Sequence, residues 1–206
     1  MLRTALVTAF GLALLAAPLV ASAGAPAVAA KDPSIAIAGT YKLDENHISV
    51  IARVPHRNGV AFSTFRFERV HGTVAWDPKA PAATKIDVTV EPASITSVAK
   101  GFATELAGDR FLKTAMFPEA KFVSTGVRMV NPTHAMVDGN MTFLGVTKPV
   151  VLDAELVGVG PGAGGKFIMG VMGTMRFKRS DFGFNAMVGP VGDDITVQID
   201  GEFGGQ

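Results

Sequence analysis

AMVDGNMTF, residues 135–143, decides the fold class. Ala135, Val137, Gly139, Met141 and Phe143 fall on one face; Asp138, Asn140 and Thr142 fall on the other. A period of two is what a strand with one buried face requires. The same alternation spreads outward along the chain. Val150, Leu152, Ala154 and Leu156 alternate with Asp153 and Glu155, and Ile86, Val88 and Val90 with Lys85, Asp87 and Thr89. Phe167, Met169, Val171, Gly173, Met175 and Phe177 form one stripe; Ile195, Val197, Ile199, Gly201 and Phe203 form the last. Weaker strand patterns cover 40–44, 48–55, 61–67, 69–76 and 121–130. Turn residues separate them at Asn58-Gly59, Asp77-Pro78, Asn131-Pro132 and the Gly-rich 158–165. Many strands at this spacing predict a mainly β, antiparallel protein, either a sandwich or a closed barrel.

One stretch departs from period two. Val98, Phe102 and Leu106 recur every four residues, with Ser97 as N-cap and Gly108 near the end. They predict one short amphipathic helix between strands, with Gly101 inside it, placed to cover a barrel mouth.

The N-terminus carries an address. Arg3 is followed by an apolar run from Ala5 to Val20 and by Ala21-Ser22-Ala23. A charge, a short apolar core and an A-x-A site form a secretory signal over residues 1–23. Residues 24–38, rich in Ala, Gly and Pro, read as a flexible segment, and 39–206 as one barrel domain. The expected location is periplasmic or secreted, with no stable membrane span after cleavage. Loss of Arg3 leaves 18 basic against 18 acidic residues. No basic stripe points to nucleic acid. The chain has no cysteine, which excludes disulfides, thiolate chemistry and Cys-ligated metals.

The remaining motifs are weak as chemistry. Gly160-Pro-Gly162-Ala-Gly-Gly165 matches the dinucleotide spacing, but the strand pattern starting at Lys166-Phe167 replaces the helix that would meet a pyrophosphate. The histidines at 47, 56, 71 and 134 lack the close spacing of a metal pair on one element. Ser49, Ser63, Ser94 and Ser180 have no readable base partner. No catalytic residue, metal or cofactor is expected. The aromatic inventory says more: there are 14 Phe, with one Trp and one Tyr. Phe and Met stripes in a small barrel suit an alkyl or isoprenoid chain. Burying about ten methylenes would contribute roughly 8 kcal/mol before ordering costs.

An ordered set of segments resembles the YceI-like family. It comprises Tyr41-Lys-Leu-Asp44-x-x-His47-x-Ser49, Val54-Pro-His56, Phe65-x-Phe67 and His71-Gly72-Thr-Val. Arg110-Phe-Leu112, Phe117-Pro118-Glu-Ala-Lys-Phe122 and Gly139-Asn-Met-Thr-Phe-Leu144-Gly145-Val146-Thr147-Lys148-Pro149-Val150 follow. Arg179-Ser180-Asp181-Phe182-Gly183 and Val191-Gly192-Asp193-Asp194 complete it. The resemblance runs from about Gly39 to Phe203. Ile48 interrupts the family's His-Ser pair, and Ala61-Phe62-Ser63 replaces a more Gly-containing stretch.

The resemblance implies an extended, eight-stranded, lipocalin-like antiparallel β-barrel. It implies an exported carrier, not an enzyme, for a polyisoprenoid or other long-chain amphiphile, and is compatible with a homodimer. The expected lining is Phe65, Phe67, Phe102, Leu106, Phe111, Phe143, Phe177 and Phe182. His47, His56 and Arg179 are candidates for touching a polar head, against the plainer role of holding strand ends together. Two alternatives stand beside this reading: a lipid-modifying enzyme, and an interaction module for a membrane redox or stress system.

Overall fold

Alternating side chains place one apolar face on each strand, and a sheet with such a face buries it most completely by curling shut. In the computed structural model, which describes residues 28–162 and 165–205, the sheet does close. Its strands are β1 (Gly39–His56), β2 (Ala61–Phe67), β3 (Val70–Trp76), β4 (Lys85–Val90), β5 (Ile95–Thr96), β6 (Ala120–Asn131), β7 (His134–Phe143), β8 (Val146–Pro161), β9 (Phe167–Lys178) and β10 (Asp194–Gly205). Neighbours pair antiparallel, and β1 pairs with β10 from Tyr41↔Gly205 to Arg53↔Thr196, which joins the two ends.

The barrel is eight-stranded because two of its staves are interrupted. β2 faces Val50–His56 of β1 and β3 faces Gly39–Lys42, so together they form one stave. β4 pairs with β3 and β5 with β2, which makes a second broken stave beside the first. Pro92 opens a 3-10 turn, Pro92–Ser94, at the second break, where its missing N–H could not serve a ladder. Opposite the first break, β1 inserts Asp44 to His47 against the single residue Glu202 of β10, forming a large bulge.

The strands occupy nearly the spans that the alternation predicts; the helix does not. α1 runs Phe102–Ala107, and Gly101 is its N-cap, with φ +78°. Val98 lies outside the helix and fully exposed. Ser97 instead accepts the amide of Ala99 in a local turn. A four-residue spacing extrapolated through Gly101 overran the point where the backbone turns left-handed. α1 covers one end of the barrel, where Ile95, Leu106, Phe111 and Leu112 form a buried cluster against Phe65, Phe67 and Phe184.

The opposite end is covered by the chain entering β1. Ala30 exchanges two 2.8 Å backbone hydrogen bonds with Val159, and Lys31 pairs with Glu155. Ala36 is buried, and Tyr41 donates to the Ile37 carbonyl at 2.7 Å. The 24–38 segment, expected to be flexible, is thus docked over its described part. The expected leader, residues 1–23, lies outside the described residues. No described helix is long and apolar enough to cross a membrane.

Candidate functional site: an apolar cavity along the barrel

Eight staves leave an interior just wide enough for side chains or one ligand. Here the inward stripes leave a cavity of about 660 Å³, within the roughly 300–1,000 Å³ common for small-molecule sites. Its wall is almost wholly apolar: Leu43, Val50, Val74, Val88, Leu152 and Ile199 are typical. A row of small residues, Ala135↔Ala154↔Gly173 across β7, β8 and β9, helps keep the middle open.

Phe65, Phe67, Phe102, Leu106, Phe111, Phe143 and Phe177 all border the cavity, as the period-two and helical patterns suggest. Phe143 and Phe177 pack edge-on with centroids 6.4 Å apart, and Phe65 and Phe102 join wall to helix at 6.1 Å. Phe182 does not reach the cavity. It is 1 % exposed, with its ring 5.3 Å from Phe177 and 5.9 Å from Phe143, two rings that do border the cavity. A 3-10 turn over Arg179–Phe182 follows β9 and takes Phe182 off the inward alternation.

His56 and Arg179 border the cavity at the α1 end. Arg179 is 2 % exposed. Nε donates to the Gly192 carbonyl at 2.9 Å, Nη1 to Phe184 at 3.1 Å and Ala186 at 2.6 Å, and Nη2 to Val191 at 3.0 Å. It therefore clamps the 184–192 loop over the barrel end. Burial lowers its pKa, and the charge of Asp193 pushes the other way. Val191 also bridges to His56.

His47 is elsewhere. It stands exposed on the β1 bulge, 2.8 Å from an Asp44 carboxylate oxygen. Asp44, His47 and Glu202 bring their ligand atoms within 4.8 Å of one another. The sequence conceals this trio because Glu202 sits on β10. The hydrogen bond to Asp44, then the charges of Asp44 and Glu202, raise the His47 pKa; the His47 bond lowers that of Asp44. His134 likewise faces a carboxylate, Asp153, at 2.6 Å.

Sequence reasoning passed over two cavity features. Trp76, the only tryptophan, borders the cavity at the end away from α1, and its Nε1 is buried without an acceptor. Its place on the alternation of β3 was the available signal. Arg110 and Glu105 border the α1 end and face each other at 3.9 Å.

Residues 41–203 match the YceI-like domain. A UPF0312 protein of Shewanella sp. (strain MR-4) is 32 % identical over 169 residues, covering 81 % of this chain and 88 % of that one. The crystal structure of the Campylobacter jejuni YCEI protein is similar at 28 % identity with a TM-score of 0.65, over 71 % of this chain and 87 % of that one. A polyisoprenoid binding domain from Saccharophagus degradans, implicated in plant cell wall breakdown, shares the fold at 14 % identity. Its TM-score is 0.61 over 81 % of this chain and 98 % of that one. Fold, closure and ordered motifs agree with these likenesses, and the chain belongs to the YceI-like family.

Proposed function

We propose that this protein is an exported binding protein that holds a polyisoprenoid or other long-chain amphiphile in its barrel, without catalysing a reaction on it. The continuous apolar cavity of about 660 Å³ carries this reading. A chain-shaped apolar ligand is the cargo that such a wall holds without specific polar contacts, at about 0.8 kcal/mol per buried methylene. The fold neighbour described as a polyisoprenoid binding domain supports the same class. The signal-like residues 1–23 support export to the periplasm. For binding rather than catalysis, the support is the family match over residues 41–203 and the fold neighbour described as a polyisoprenoid binding domain.

The test is native mass spectrometry of protein purified from its own envelope, with solvent extraction of the bound fraction. A stoichiometric isoprenoid or fatty-chain adduct is expected. Trp76 borders the cavity and serves as an internal reporter, so its emission should change as the lumen fills. A clean apo mass, together with no Trp76 response to offered isoprenoid quinones or fatty amphiphiles, would overturn the reading.

A further inference from the structure

Among the described residues, five Lys, Arg, Asp and Glu side chains border the cavity. Four have an opposite charge of their own: Glu105 faces Arg110, Lys121 faces Asp87, and Glu155 faces Lys31. The fifth is Arg179, the most buried of them, and among the described residues no carboxylate lies within ion-pair distance of it. Asp193 is the nearby acid, but its carboxylate oxygens are taken by the Ser180 amide at 2.9 Å and hydroxyl at 2.7 Å.

Carbonyl dipoles satisfy most of the guanidinium. Of its five N–H groups, four reach Gly192, Phe184, Ala186 and Val191. One Nη2 hydrogen is left over, on a residue that borders an apolar lumen. A buried cation without a counter-charge is costly, and a charge-assisted hydrogen bond to an anion is the strong way to offset that cost.

Resting on the lipid-holding reading above, we propose that the lumen prefers chains ending in a carboxylate, with the head at Arg179 and the tail running toward Trp76. One carboxylate oxygen accepts the free Nη2 hydrogen, and the negative charge supplies the partner that the protein does not. The tail needs no polar contact along the wall. The indole N–H of Trp76 is the competing donor at the other end. It is neutral and receives an alcohol or an acid alike, so a preference for the acid reports on Arg179.

The experiment titrates the purified protein at about pH 7.5, where a fatty carboxyl is ionised, with cis-parinaric acid and with the corresponding alcohol, cis-parinaryl alcohol. Polyene fluorescence excited through Trp76 reports binding. The acid should bind about tenfold tighter or more. Arg179→Gln should erase that preference, read as the ratio of acid to alcohol affinity within the same variant, and Arg110→Gln should leave the ratio intact. Equal affinities in the unmodified protein overturn the proposal, as does a preference that survives Arg179→Gln or disappears in Arg110→Gln. If Arg179→Gln does not fold, the comparison in the unmodified protein decides alone. Binding of neither probe would count against the lipid-holding reading itself, whereas equal binding of both would leave that reading standing and remove only the selectivity.

Discussion

Ser94 holds Arg69 across two broken staves: its hydroxyl oxygen accepts the Arg69 amide at 3.0 Å and the Glu68 amide at 3.1 Å while donating to the Glu91 carbonyl at 2.6 Å. These are backbone groups where β2 gives way to β3 and where β4 gives way to β5. The side chain is 5 % exposed, so water does not easily take its place. In Ser94→Ala the Glu68 amide keeps the Ser94 carbonyl at 3.3 Å, but the Arg69 amide loses its hydroxyl acceptor, so the protein should lose about 0.5–1.5 kcal/mol, the net worth of a hydrogen bond. Urea unfolding checks this, and an unchanged midpoint would show that the breaks are held by the ladders alone.

The turn between β7 and β8 makes a second stability prediction. Leu144 and Gly145 both have positive φ, +49° and +76°, the signature of a two-residue type I′ hairpin. A Cβ at 145 would lie 2.7 Å from Cε1 of Phe117. Gly145→Ala therefore meets both backbone strain and overpacking, and should cost about 1–3 kcal/mol. Thermal unfolding should show the loss, and a neutral result would mean that Phe117 swings away freely.

Filling the lumen should separate binding from folding. Ala154 borders the cavity between Ala135 and Gly173, so a larger side chain there enters open space. Ala154→Trp should abolish uptake of a long-chain probe while leaving the circular dichroism spectrum and melting temperature near those of the unmodified protein. Full binding by a folded Ala154→Trp protein would place the ligand outside the lumen.

The bulge on β1 should give a pH signature. Asp44 and Glu202 raise the His47 pKa above its ordinary 6.5, so its contribution to stability is present below 6.5 and fades as pH rises through the folded value. Asp44 is shifted down from 3.8, so its contribution is present above 3.8 and fades as pH falls through its folded value. The pair should therefore support the bulge most between those two ordinary values. NMR titration should find His47 titrating above 6.5 and moving down in Asp44→Asn. An unmoved His47 in that variant would contradict the pairing.

Strand positions and inward faces were legible along the chain because alternation is a local property: Val137, Met141, Leu152 and Met175 are buried as their stripes require. The turn at Asn58-Gly59 and the Phe-rich wall were legible for the same reason. Closure was not, since period two describes a sandwich as well as a barrel; the β1–β10 ladder, joining Tyr41 to Gly205, decided it. Tertiary structure alone also decided that Phe182 packs against Phe177 rather than lining the lumen. It set Glu202 beside Asp44 and His47, and among the described residues it left buried Arg179 with no carboxylate at ion-pair distance. Each of these depends on which distant strands or loops become neighbours, and alternation within one strand carries no information about the residue that will stand opposite it.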